Sequence, residues 1–244
     1  MSHHIIEADN LCYIYPDGTP ALDGISFRIT HGESVAVVGA NGAGKSTLLL
    51  HLSGCLPASS GSLRIGDYTV TRKTIDEVHR SVGMVFQDPD DQLFMPTVFD
   101  DVAFAPRNLG LNENEAAERV KAALALVNMS HLEKRQPYKL SAGEKRSVAI
   151  ATVLSIRPDI LLMDEPAANL DPANRRSLIN LLLTFEHTKI IATHDLNMAL
   201  DVCGRTIVIH KGRIAADGPT DKILSDSELL TKCSLEPPYR RGEV

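Results

Sequence analysis

Cysteine is scarce and scattered: Cys12, Cys55, Cys203 and Cys233 are the full set, with no CxxC pair and no metal-ligand spacing. That argues against a disulfide framework and a zinc site, and four reduced thiols in a cytosolic protein are expected. The start shows no basic-then-apolar secretion pattern. No apolar run approaches the ~20 residues that a membrane-crossing helix needs. Work at a membrane would therefore require another chain to span it. Basic residues are in deficit, 25 against 31 acidic, giving a net charge of −6. Nucleic-acid binders usually carry a basic face, so none is expected as a partner. Internal repeats, low-complexity tracts and heptads are also lacking.

What is present suits one large α/β domain carrying an insertion: 244 residues, 43% of them hydrophobic. Residues 5–15 and ALDGISFRI read as strands around a PDGTP turn. ESVAVVG at 33–39, PDILLMDEP and TKIIATHD are short apolar runs, as buried strands should be. GRTIVIHKGRIAADG closes with a hairpin-like pair around Lys211-Gly212. Between Gln87 and about Ser155 the pattern turns helical, with Val120, Leu124 and Val127 on one stripe. The expected division is a nucleotide-binding core at 1–87 and 156–220, a helical subdomain at 88–155, and a C-terminal helix and tail at 221–244. The core should hold a mixed sheet, with antiparallel strands near the N-terminus and parallel ones at the centre. The EPPYRRGEV tail is expected to fray.

GANGAGKST at 39–47 fits G-x-x-x-x-G-K-[ST], directly after a predicted strand and opening a predicted helix. Gly39, Gly42 and Gly44 let successive backbone N–H groups turn inward, and Asn41 and Ala43 complete the loop. The helix N-terminus adds its positive dipole end, so a polyphosphate is favoured there. Lys45 should reach the β- and γ-phosphates, Ser46 should ligate Mg²⁺, and Thr47 should help hold the α-phosphate.

ILLMDE at 160–165 delivers two acids to the carboxyl edge of the sheet, where ligands bind in open α/β folds. Asp164 is the expected Mg²⁺ acid and Glu165 the group that orients or deprotonates an attacking water. His194 ends a third strand beside them and is expected to contact the γ-phosphate.

LSAGE at 140–144 is, locally, a capping box in which Ser141 and Glu144 open a helix. Taken in order with GANGAGKST, Gln87, ILLMDEPAANLD and ATHD, however, LSAGEKR resembles the ATP-binding-cassette ATPases over nearly the whole chain. That resemblance implies ATP and Mg²⁺ as cofactors and a head-to-tail homodimer with two sandwiched nucleotides. By the same resemblance, Tyr15 stacks on adenine and Gln87 senses Mg²⁺ and water at a hinge. Ser141 and Gly143, with Glu144, belong to the signature that meets the opposite subunit's γ-phosphate. Asn169, Leu170 and Asp171 form the loop that crosses the dimer interface. Ala142 replaces the usual first glycine of the signature and Glu144 the usual glutamine.

Residues 86–104, FQDPDDQLFMPTVFDDVAF, are acidic, broken by prolines and rich in phenylalanine. They read as a poor strand and a poor helix, with Phe86, Phe94 and Phe99 as anchors for an interface. FQDPDDQLF followed by TVFDDVAFAPRNLGL resembles the energy-coupling-factor branch, and the chain length resembles the single ATPase of cobalt or nickel importers. This implies integral membrane subunits docked on 86–104 and a peripheral position on the cytoplasmic face of the membrane. A vitamin importer using the same engine stays open. A soluble cassette acting on DNA or ribosomes is disfavoured by the single cassette, the absent coiled coil and the acidic charge. His3 and His4 are not read as a metal site.

Overall fold

The computed structural model describes residues 6–168 and 170–238. His3, His4, Asn169 and residues 239–244 of the tail lie outside them.

The antiparallel strands form a sheet of their own. Strands β1 (Ile6–Ile14), β2 (Pro20–Ile29), β4 (Ser60–Ile65) and β5 (Tyr68–Thr69) run in the order β2-β1-β4-β5. The second sheet has six strands, β10-β9-β3-β8-β7-β6. Its members are β3 (Ser34–Val38), β6 (Val82–Val85), β7 (Ile160–Asp164), β8 (Thr188–Thr193), β9 (Arg205–His210) and β10 (Arg213–Pro219). All its pairings are parallel except the β9–β10 hairpin, which turns at Lys211 and Gly212, both at positive φ.

The apolar runs of the parallel strands follow from burial on both faces. Along β7, Leu161 and Met163 face one core while Ile160 and Leu162 face the other. The same alternation runs through β3, where Ala36 and Val38 oppose Val35 and Val37. The helix α1 (Lys45–Leu52) and the antiparallel sheet cover one side. On the other side pack α6 (Pro172–Thr184) and α7 (Leu196–Val202), and the C-terminal helices α8 (Thr220–Ile223) and α9 (Ser227–Lys232) bring Leu224 and Leu230 to the same cluster.

After α2 (Ile75–Ser81) and β6, the chain leaves the sheet for α3 (Val98–Asn108), α4 (Glu113–Leu126) and α5 (Ala142–Leu154), then returns at β7. Local signals set these boundaries. Asn112 with Glu115, and Ser141 with Glu144, form reciprocal capping boxes at the starts of α4 and α5. Val120 and Leu124 are fully buried, as their helical spacing predicts.

The 86–104 stretch departs from expectation. It makes a 3₁₀ turn at Pro89–Asp91 and becomes regular helix from Val98 onward, despite Pro106 inside that helix. The cause is Thr97, whose hydroxyl accepts the Asp100 N–H and caps the helix. The anchors also differ. Phe99 is half-buried against the helical core and Phe86 is half-buried just beyond β6, whereas Phe94 and Phe104 are exposed, in edge contact with ring centroids 5.0 Å apart.

Candidate nucleotide site

Strands β3, β7 and β8 are in parallel register, Val38 opposite Thr193 and Asp164 opposite Ala192. Their carboxyl ends therefore put the glycine loop, the two acids and His194 on one edge. Two glycines of the loop are dictated by space. A Cβ on Gly39 would sit 2.3 Å from the Ile209 carbonyl oxygen, and one on Gly44, at φ 110°, 2.5 Å from that of Ala21.

Lys45 is buried, its Nζ donating to the carbonyl oxygens of Gly39 (2.9 Å) and Ala40 (3.2 Å) and lying 4.0 Å from Glu165 Oε1. In this state the ammonium caps the loop from within. Tyr15 and Thr47 share a hydroxyl hydrogen bond of 2.9 Å, tying the aromatic side chain to the first turn of α1. A cleft of about 560 Å³ is lined by Tyr15, Asn41, Gly42, Gly44, Lys45, Ser46, Thr47, Gln87, Glu165 and His194, among others. Ten of the residues singled out by sequence thus face one space.

Glu165 is held on both oxygens. Oε2 accepts from the Thr193 hydroxyl (3.0 Å) and the His194 N–H (3.2 Å), and Oε1 lies 2.9 Å from His194 Nδ1. A carboxylate only accepts, so Nδ1 carries the hydrogen and Nε2 is the free face of the ring. The His194 side chain is 64% exposed, whereas that of Glu165 is 8% exposed. Glu165 also adopts φ 45°, a left-handed backbone that a non-glycine residue enters at a cost of about 1–3 kcal/mol. Its N–H donates to the Ala192 carbonyl, which holds that conformation. Thr193 and the strained backbone of Glu165 carried no sequence signal beyond their place at strand ends.

Asp164 is 4% exposed, and its Oδ1 has no hydrogen-bond partner among the described residues. Burial raises its carboxyl above the ordinary value, against the pull of the Ser46 hydroxyl. Ser46, Gln87 and Asp164 line a second cavity of about 570 Å³ together with Arg146. A buried, unpaired acid oxygen beside a serine hydroxyl and a glutamine side chain suits a hard divalent cation.

Ser141, Gly143 and Glu144 line neither cavity. The Glu144 carboxylate is occupied by the Ser141 N–H at 2.7 Å, which holds it below its usual range. Ala142, the exposed first residue of α5, lines the cavity of about 570 Å³ with Leu140 and Lys145. A Cβ on Gly143 would come within 2.9 Å of Asn174 Nδ2, so α5 and α6 meet closely there. Asp171 caps α6 through the N–H groups of Ala173 and Asn174, both at 2.9 Å, and Leu170 packs on the core.

Comparison with known proteins places the whole chain in one family. The family model described as ABC transporter matches residues 22–168. A protein of Geobacter sulfurreducens that carries the provisional description ABC transporter ATP-binding protein is 64% identical over 98% of this chain and 96% of its own length. The cobalt import ATP-binding protein CbiO of Rhodobacter capsulatus is 45% identical, covering 96% of this chain and 85% of that protein. The solved structure of CbiO1 from Clostridium perfringens, described as part of the ABC transporter complex CbiONQ, superposes with a TM-score of 0.82 at 38% identity over 94% of both chains.

Proposed function

Because this chain belongs to the ABC transporter family of ATP-hydrolysing cassette subunits, we propose that it powers an energy-coupling-factor importer for cobalt or nickel ions. The observation that carries the hydrolytic part is Glu165, buried in the cleft with Lys45 4.0 Å away and His194 at 2.9 Å. The cargo rests on likeness to the cobalt-import relative and to CbiO1.

In this reading, Tyr15 supports the adenine and the backbone amides from Gly39 to Thr47 receive the phosphates, helped by the N-terminal dipole of α1. Lys45 leaves the carbonyls of Gly39 and Ala40 for the β- and γ-phosphates, a nearby exchange of acceptors. Ser46, Gln87 and Asp164 would hold Mg²⁺, which when bound neutralises charge on the transferred phosphoryl group. Glu165 accepts a proton from the attacking water once His194 Nδ1 gives up Oε1, and His194 turns its imidazole to the γ-phosphate. Keeping the base buried and hydrogen-bonded fixes its orientation before substrate arrives.

Ser141, Gly143 and Glu144 stand outside the cleft of about 560 Å³ that holds the glycine loop, Glu165 and His194, which supports a homodimer in which each α5 N-terminus serves the partner's nucleotide. ATP then closes the pair, and loss of the γ-phosphate lets it open. Exposed Phe94 and Phe104 offer the membrane subunits an apolar contact on the cytoplasmic face, beside a groove of about 510 Å³ that Phe104 and Leu109 line with Asp76, His79 and Arg80. Among the described residues no helix is long and apolar enough to cross a membrane.

Reconstitution with the membrane subunits tests this directly. Uptake of labelled cobalt or nickel should require ATP and vanish with Glu165→Gln. Metal uptake that survives this substitution overturns the proposal, and uptake of a vitamin instead moves the cargo to the neighbouring branch.

A further inference from the structure

Strand β6 pairs with β7 up to Val85, opposite Met163. The next two residues, Phe86 and Gln87, are held differently. The Phe86 N–H donates to Gln92 Oε1 at 3.1 Å, and the Phe86 carbonyl accepts from Arg146 Nη1 at 2.7 Å. The Gln87 carbonyl accepts from Arg146 Nη2. Gln92 in turn donates to the Ala149 carbonyl (2.8 Å) and the Thr152 hydroxyl (2.7 Å) on α5. Three backbone groups at the hinge are therefore satisfied by side chains of the helical block, none of them by the sheet.

Arg146 is 3% exposed, and a guanidinium buried to that degree is costly unless its donors are used. Among the described residues no carboxylate pairs with it directly; Asp88 and Asp164 act on it only through space. Arg146, five residues after Ser141, gives a donor from each terminal nitrogen to the main-chain carbonyls of Phe86 and Gln87. Bonds from a charged donor to carbonyls are stronger than neutral ones, which makes this a stiff link.

We propose that Arg146 and Gln92 clamp the hinge to α5, so that Gln87 moves with the signature helix and the pivot lies between Val85 and Phe86. Arg146 is a positioning residue here: it acts through Gln87 and touches no nucleotide. One displacement of α5 then performs two tasks. It presents Ser141 to the partner's nucleotide and brings Gln87 to Ser46 and Asp164 in its own site. Closure of one half-site is thereby felt in the other. The inference rests on the reading of Gln87 as a Mg²⁺ and water contact.

A double-mutant cycle on the ATPase tests it, with Gln87→Ala, Arg146→Met and the pair together, kcat and KM for Mg-ATP being read separately. Each single variant should lower kcat about 10- to 100-fold, the usual loss for a supporting residue, with nucleotide binding retained. The double variant should be no slower than the slower single one, because both changes disable the same element. Arg146→Lys should recover part of the rate. Losses that multiply, or an unchanged kcat in Arg146→Met, overturn the clamp while leaving the role of Gln87 intact. An unchanged kcat in Gln87→Ala instead removes that role and the clamp with it. Gln92→Met keeps the side-chain volume and removes three hydrogen bonds; it supplies the same cycle if Arg146→Met fails to fold, with the same outcomes for and against.

Discussion

Glu165 and His194 meet across the edge of two adjacent strands, Oε1 to Nδ1 at 2.9 Å, while the Glu165 backbone is held left-handed at φ 45°. The register of β7 against β8 brings these residues together, since Asp164 lies opposite Ala192 and Glu165 leaves β7 beside Thr193 and His194 at the end of β8. Glu165→Gln should keep the fold and the hydrogen bond from the Thr193 hydroxyl but lose the base. ATP hydrolysis should fall by about 10²–10⁴-fold, and the nucleotide-bound dimer should accumulate. Phosphate release and light scattering in saturating Mg-ATP check both halves.

His194→Ala separates chemistry from stability. Its ring is largely exposed, so unfolding in urea should shift by no more than about 0.5 kcal/mol. Hydrolysis should nonetheless drop by about 10²-fold or more. The backbone N–H of His194 still supports Glu165 in this variant, so the loss reports the imidazole alone.

Asp101 gives a pH signature. Its Oδ1 accepts the N–H groups of Phe94 (3.0 Å) and Met95 (2.9 Å), yet Oδ2 is buried with no partner among the described residues, and burial raises the carboxyl above its ordinary value. The folded chain therefore holds this proton to higher pH than the unfolded chain does. Stability from this group is full below the ordinary aspartate value and is lost as pH rises through the raised one. Asp101→Asn keeps the Oδ1 acceptor and removes that loss. Urea unfolding over a pH series should show the variant gaining on the wild type as pH climbs through this window, then a constant difference.

Thiol reactivity should divide the cysteines. Cys55 is exposed, whereas Cys203 and Cys233 are buried, and burial pushes the Cys203 thiol up to about 11. At neutral pH a thiol reagent should label Cys55 rapidly and leave Cys203 and Cys233 unlabelled until denaturant is added. Mass spectrometry of labelled peptides reads the order.

Most of the site was legible because its chemistry is packed into short segments. The glycine loop, the paired acids and His194 each follow an apolar run, and a strand buried on both faces must deliver its last residues to the same edge. The Thr97 cap lay in the sequence too, four residues before Asp101, but two nearby prolines made the stretch read as irregular. A single capping hydroxyl was enough to start helix α3 after them. Which phenylalanines would be free was not legible. Phe94, Phe99 and Phe104 have similar neighbours in sequence, and only the packing of α3 against the other helices left Phe94 and Phe104 outside.

Local patterns by themselves determined the phosphate loop, the acids and the caps, because backbone turns, helix starts and strand burial are set by residues within a few positions of one another. Tertiary structure alone decided the left-handed backbone of Glu165, the pairing of its carboxylate with His194 and the fastening of Phe86 and Gln87 by Arg146 and Gln92. Those contacts join segments up to 60 residues apart, and their geometry depends on strand register and helix docking, quantities that no short stretch of chain encodes.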